Sequence, residues 1–325
     1  MGREENFDEN YSGEKDPLII YLHGFPQAAA TCWTYQLQDF AKRNFKYGEK
    51  RFALMAPDLR GYNTSDKPDI TDLNNYDMGE LVHDIKGLIE GYYKNGKGKA
   101  VLVAHDWGAI ISWVLTSTYP EVVEKLIVLN VPHPVSMQRE IGQLPLKTIY
   151  AQLKKSWYIL FMQLGFSIPE NYFKNDNYRA LAFAYLDLAK KGILTMEDYH
   201  HYVKGWAQPD ALDAMMAYYK GFMTGKFANA IKMKLGYPDA RRYPKVGQTL
   251  EAPLEQQKVK VPTLILWGKD DLALIEETAD LSFKYYIDES VKPKSKIIKF
   301  EAGHFIALEI PNTVIQEIEQ FVTQQ

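Results

Sequence analysis

Cysteine is nearly missing: Cys32 is the single thiol in 325 residues. One thiol forms no internal disulfide, and no metal-ligand spacing surrounds it, so a reducing, cytoplasmic setting is expected and neither metal nor organic cofactor is. Excess positive charge is missing too. Lys and Arg number 38 against 41 Asp and Glu, a formal charge of −3, which leaves no basic field to hold a phosphate backbone and excludes nucleic acid as a partner. Long apolar runs are absent. The longest wholly apolar stretch of the central region, Trp157 to Met162, is far short of the roughly 20 residues that cross a bilayer. The opening MGREENFDENYSGEKD is polar and acidic, without the apolar core of a secretion signal. No repeat or low-complexity tract is visible. A chain this long that is 46% hydrophobic has enough apolar matter for a large core and an insertion.

What is present has the rhythm of an α/β protein. Short apolar runs at Leu18 to Leu22, Ala53 to Ala56, Val101 to Ala104, Leu126 to Val131, Thr263 to Trp267 and Ile297 to Phe300 alternate with helical patterns. That alternation predicts a mostly parallel sheet with crossover helices. Asp77 precedes Glu80 by the three residues of a capping box, and Leu81, Ile85, Leu88 and Ile89 then share one helical face. Val314, Ile315, Ile318 and Val322 do the same in a final helix. Between about Val135 and Gln257 the strand runs stop and aromatics and methionines take helical spacing, with a basic, proline-containing stretch from Lys226 to Lys245. The reading is a core over 1–134 and 258–325 with a helical cap over 135–257.

The strongest chemical signal is Val103-Ala104-His105-Asp106-Trp107-Gly108-Ala109, between a strand and a helix. It has the small-x-nucleophile-x-small form of the sharp turn that lifts a nucleophile above a sheet, with Asp in the nucleophile slot. A carboxylate attacking an ester carbonyl would yield a labile anhydride, whereas attack on a polarised saturated carbon yields a stable alkyl ester. Epoxides and carbon–halogen bonds are the targets that fit. A base is then needed to hydrolyse the ester. Of seven histidines, His304 in Gly303-His304-Phe305 follows the last strand, where the order nucleophile, acid, histidine requires it. The acid should end the preceding strand, and Asp271 is its expected position, with Asp270 the alternative. A turn at His23-Gly24-Phe25-Pro26 aims the Phe25 N–H at the nucleophile, and with the Trp107 N–H it makes a two-donor oxyanion hole.

On these residues the sequence resembles the epoxide hydrolases of the α/β-hydrolase superfamily. The shared motifs are His23-Gly24-Phe25-Pro26, Arg60-Gly61-Tyr62 with Ser65-Asp66-Lys67-Pro68, His105-Asp106-Trp107-Gly108, Asn130-Val131-Pro132-His133-Pro134 and Gly303-His304, spread from Pro17 onward. The resemblance implies an α/β-hydrolase fold, no cofactor, a small apolar epoxide as substrate and a monomer or homodimer. It also implies two cap tyrosines that hold the epoxide oxygen. Their contexts, Ser156-Trp157-Tyr158 and Tyr218-Tyr219-Lys220, place them at Tyr158 and Tyr219, with Tyr218 the alternative register. A phenol supplies the proton that an opening epoxide needs and a departing halide does not.

Two other readings use the same residues. Haloalkane dehalogenases resemble the chain at the Asp-Trp turn but carry a halide-binding Asn in the slot of Phe25; a non-catalytic relative would use the capped pocket only to hold a ligand. The segment before Pro17 is shorter than the family's usual opening strands, so a missing or rebuilt first sheet edge is expected. The stretch from Ala28 to Trp33 is one residue longer than usual. Among the cap aromatics Trp157, Tyr158, Phe161, Phe166, Tyr172 and Phe173, some are expected to line an apolar tunnel and some to form the cap's own core.

Overall fold

A computed structural model of the chain describes residues 16–43, 45–47, 50–94, 98–164, 167–221 and 254–324. Besides a short antiparallel pair, Lys46–Tyr47 with Lys50–Arg51, its main sheet has six strands: β1 (Leu18–Leu22), β2 (Ala53–Met55), β3 (Ala100–His105), β4 (Val123–Leu129), β5 (Thr263–Gly268) and β6 (Lys296–Phe300). They lie in the order β2-β1-β3-β4-β5-β6, every neighbouring pair parallel. Parallel neighbours need long crossovers, and the helices Met78–Tyr92, Trp107–Thr118 and Glu277–Tyr286 lie in them. Both faces of the sheet are therefore covered. Leu18, Ile20 and Leu22 of β1 join one core cluster with Leu102 and Ala104 of β3, while Ile19, Tyr21, Val101 and Val103 join the other. This is the alternation of a strand buried on both sides.

The helix Met78–Tyr92 begins as the capping pattern implies, for the Asp77 carboxylate accepts the Glu80 N–H at 2.9 Å, a cap worth about 1 kcal/mol. The reciprocal half of the box is not made. Glu80 turns instead toward Arg60, at 3.5 Å, whose guanidinium also grips Asp84. In the helix Pro311–Thr323, Val314, Ile315, Ile318 and Val322 are buried.

The fourth strand departs from expectation. It runs Val123–Leu129 rather than Leu126 to Val131, because Asn130 adopts φ 55° and breaks the extended run while Val131 is still buried. The second strand likewise stops at Met55. At its edge of the sheet β2 is the outermost strand among the described residues. Between β4 and β5 the described residues form helices: Leu146–Lys155, Trp157–Phe161, Ile168–Ala182 with non-helical backbone at 175–178, Leu186–Lys190, Met196–Trp206 and residues 211–221. The stretch Lys226–Lys245 and Phe166 lie outside the described residues.

Candidate active site

Register sets the site. Leu22 pairs with Ala104, so the turn that leaves β1 runs beside the end of β3, and Gly108 N–H donates to His23 C=O at 2.9 Å. Asp106 closes β3 with φ 49° and ψ −122°, a conformation that costs an ordinary side chain about 1–3 kcal/mol and that the surrounding packing enforces. Two glycines permit the approach. A Cβ on Gly24 would overlap the Asp106 side chain and stand 2.6 Å from Trp107 N; one on Gly108 would meet the Leu22 and His23 carbonyl oxygens at 2.5 and 2.6 Å.

Within this turn the Phe25 N–H donates to Asp106 Oδ1 at 2.6 Å, and the Trp107 backbone N–H also hydrogen-bonds the carboxylate. Trp107 begins the helix Trp107–Thr118, whose N-terminal dipole favours negative charge at the same point. Burial raises the Asp106 pKa; the His304 charge and the two N–H groups oppose it without cancelling it. The second oxygen, Oδ2, lies 3.9 Å from His304 Nε2, beyond a hydrogen bond.

His304 follows β6, and its Nδ1 stands 2.7 Å from Asp271 Oδ2. An ionised carboxylate only accepts, so Nδ1 carries a proton toward Asp271 and Nε2 is the ring nitrogen that faces Asp106. Asp271 is fully buried and accepts from every side: the Ala273 and Leu274 N–H groups bind Oδ1 at 2.6 and 2.9 Å, and Asn130 Nδ2 binds Oδ2 at 2.7 Å. Burial alone would raise its pKa. The His304 charge and hydrogen bond, Asn130 and the Ala273 N–H reverse that and hold it below the ordinary value. For His304 burial pulls down, but the charge and hydrogen bond of Asp271, with Asp106 behind them, leave the imidazole above its usual range. Asp270, the alternative acid, is exposed.

Tyr158 and Tyr219 face Asp106 across a cavity of about 160 Å³ that Trp107, Ile110 and Leu274 also line. Their ring centroids are 6.1 Å apart. The Tyr219 ring is set edge-on to Phe25 and Trp107, at 5.3 and 5.0 Å, and its hydroxyl hydrogen-bonds the Trp107 side chain. Burial, then the nearby Asp106 charge, raise both phenols, which keeps them protonated. Tyr218 points elsewhere: its hydroxyl donates to the Arg60 carbonyl at 2.6 Å. Of the other cap aromatics, Phe173 is buried, and Trp157 and Tyr172 are more than half exposed. Neither these three nor Phe161 lines this cavity. A larger cavity of about 520 Å³, between the Pro26–Thr34 turn and the helix Met196–Trp206, does not include Asp106.

Sequence reasoning missed the supports of the acid. Asn130 appears in a family motif with no role attached, yet its Oδ1 accepts the Gly268 N–H at 3.1 Å while its Nδ2 reaches Asp271. Its readiness for positive φ was the available clue. Gln152, buried in the helix Leu146–Lys155, accepts the Ile275 N–H at 2.9 Å and donates to the Ala273 carbonyl at 3.0 Å; Lys155 donates to the Asp271 carbonyl. No local signal marks them. Behind the site, His105 Nε2 lies 2.9 Å from the His304 carbonyl; burial, then the neighbouring His304, lower its pKa to about 3, so it stays neutral and donates.

A parallel sheet whose carboxyl edge brings a carboxylate on a strained turn to a carboxylate-backed imidazole has the architecture of the α/β hydrolases, and the model of the alpha/beta hydrolase fold family matches residues 17–152. The chain is 31% identical to Epoxide hydrolase 4 of Homo sapiens over 97% of this chain and 75% of that protein. It is 32% identical to AB hydrolase superfamily protein YfhM of Bacillus subtilis, covering 96% and 92%. A crystal structure of the Bacillus megaterium epoxide hydrolase in complex with an inhibitor superposes with a TM-score of 0.72 at 30% identity, covering 95% of this chain and 94% of that one. The chain belongs to the epoxide hydrolases of the α/β-hydrolase superfamily.

Proposed function

We propose that the chain hydrolyses small apolar epoxides to vicinal diols through an alkyl ester on Asp106, beneath a cap formed by residues 135–257. The observation that carries this reading is the division of labour within one carboxylate: Oδ1 accepts the Phe25 N–H, the Trp107 N–H also bonds the carboxylate, and Oδ2 lies toward His304. Oδ2 attacks one ring carbon, and the bond from that carbon to the ring oxygen breaks. Tyr158 and Tyr219 hold the departing oxygen, and one of them gives it a proton. The ester carbonyl oxygen is then Oδ1, already seated against the Phe25 N–H.

In the second step His304 Nε2 takes a proton from water as the water oxygen adds to Asp106 Cγ. The Phe25 and Trp107 N–H groups stabilise the tetrahedral oxyanion. Collapse breaks the Cγ–Oδ2 bond, the imidazolium protonates the leaving alkoxide, and the new carboxyl returns its proton to the phenolate. One diol oxygen comes from the epoxide and the other from Asp106. Electrostatics favour this order, because esterification removes the Asp106 charge that helps raise the His304 pKa, making the imidazole a free base when a base is required. Asp271 retains the tautomer throughout.

Incubation with styrene oxide and, separately, a bromoalkane tests the reading. Diol from the epoxide with no bromide from the haloalkane is expected, and Tyr158→Phe with Tyr219→Phe slows ring opening on the order of 100-fold or more. Bromide release without diol would replace the proposal with dehalogenation, and no turnover of either class would support a binding role instead.

A further inference from the structure

One face of the helices that present Tyr158 takes no part in the site. Leu146, Tyr150, Leu153, Trp157 and Leu160 recur at intervals of four and three residues along Leu146–Lys155 and Trp157–Phe161. Such spacing puts Leu146, Tyr150 and Leu153 on one side of the first helix and Trp157 and Leu160 on one side of the second, and each is between 59% and 84% exposed. The other side is committed: Gln152 and Lys155 hold the segment from Asp271 to Ile275, and Tyr158 and Ile159 line the cavity. The stripe therefore cannot turn inward without breaking those contacts. Single exposed apolar side chains are ordinary on a soluble protein, but a contiguous row marks an interaction surface.

Charge identifies the partner. From Glu140 to Glu170 the intervening sequence holds no acidic residue, and its cations are Lys147, Lys154 and Lys155. Lys155 is occupied at the Asp271 carbonyl. Lys147 and Lys154 are exposed, the latter with Nζ 4.6 Å from the Tyr150 ring centroid. A second copy seated symmetrically on this face would set those lysines against their own images, with no carboxylate in the stripe to answer them. A bilayer surface with anionic headgroups accepts both parts at once. Leucines and the Trp and Tyr rings enter the boundary with the acyl chains, and the ammonium groups stay at the phosphate level.

We propose that this face docks peripherally on anionic lipid. Docking would set the cap against the phase into which apolar small molecules partition, next to the cavity that Tyr158 lines. The surface argument does not depend on the reaction assigned above, and its test reads binding rather than turnover.

The chain carries its own probe. Of six tryptophans, Trp33, Trp107, Trp113, Trp206 and Trp267 are at most 3% exposed and Trp157 is 59% exposed. The full chain is mixed with phosphatidylcholine vesicles that contain or lack phosphatidylserine, followed by co-sedimentation and tryptophan emission. Binding to the anionic vesicles with a blue shift that Trp157→Phe abolishes is expected. Leu153→Gln with Leu160→Gln should weaken binding about tenfold or more per leucine, and Lys147→Glu with Lys154→Glu should weaken it on anionic vesicles. Binding to neither vesicle, or binding that both pairs of substitutions leave intact, overturns the proposal. So does a concentration-dependent dimer that the leucine pair dissolves, which would assign the face to a second copy.

Discussion

In the proposed cycle Asp106 is a nucleophile in one step and an electrophile in the next, and its two oxygens stand in different surroundings before any substrate arrives: Oδ1 accepts the Phe25 N–H, and Oδ2 lies 3.9 Å from His304 Nε2. The N–H groups of Phe25 and Trp107 make Cγ susceptible to water once Oδ2 is alkylated, and His304 serves only that second event. His304→Gln should therefore still form the ester but release it at least about 100-fold more slowly; intact-protein mass spectrometry after mixing with styrene oxide should show a stoichiometric adduct, and unimpaired steady-state turnover would remove His304 from its role. Acid should act in the same direction. His304 is raised chiefly by Asp271, whose charge persists in the ester, so it is lost as a base when pH falls through that raised pKa. The fraction of enzyme trapped as ester, read by rapid quench, should rise as the pH approaches about 6.5 from above. A fraction that declines over that range would contradict the assignment.

Elements differ in how well the sequence announces them. Strand β1, the turn at Asp106 and the two amphipathic helices were legible because each is specified locally, by apolar alternation, small flanking residues or a cap. Strand register favoured Asp271 over Asp270 as the acid; Asp271 is buried with Oδ2 2.7 Å from His304 Nδ1, whereas Asp270 is exposed. The end of β4 was misread, because Asn130 leaves the strand for contacts with Gly268 and Asp271 that lie about 140 residues away. Gln152 was invisible for the same reason, since a glutamine on an amphipathic helix reads as solvent-facing. Its two hydrogen bonds tie the helix preceding Tyr158 to the segment whose N–H groups bind Asp271. Gln152→Ala should lower ester hydrolysis more than ester formation, on the order of tenfold, with the acid limb of the pH profile displaced. Equal loss in both steps with an unmoved profile would mark Gln152 as packing alone.

At the scale of the whole molecule, the proposed mechanism draws three of its working parts from the carboxyl edge of a parallel sheet and its two phenols from the helices inserted between β4 and β5. That partition explains the uneven legibility of the site. Nucleophile, acid and base sit at strand ends, whose positions follow from short-range pattern, whereas Tyr158 and Tyr219 were chosen among 22 tyrosines only through motif context. In the proposed mechanism every proton and developing charge is assigned to a named residue. One measurement tests this most directly: a single turnover of styrene oxide in ¹⁸O water, with enzyme in excess, followed by peptide mass spectrometry. Label in the Asp106 carboxylate and none in the diol is predicted; label in the diol with Asp106 unlabelled would mean that water attacks the epoxide itself, and the ester route would be wrong.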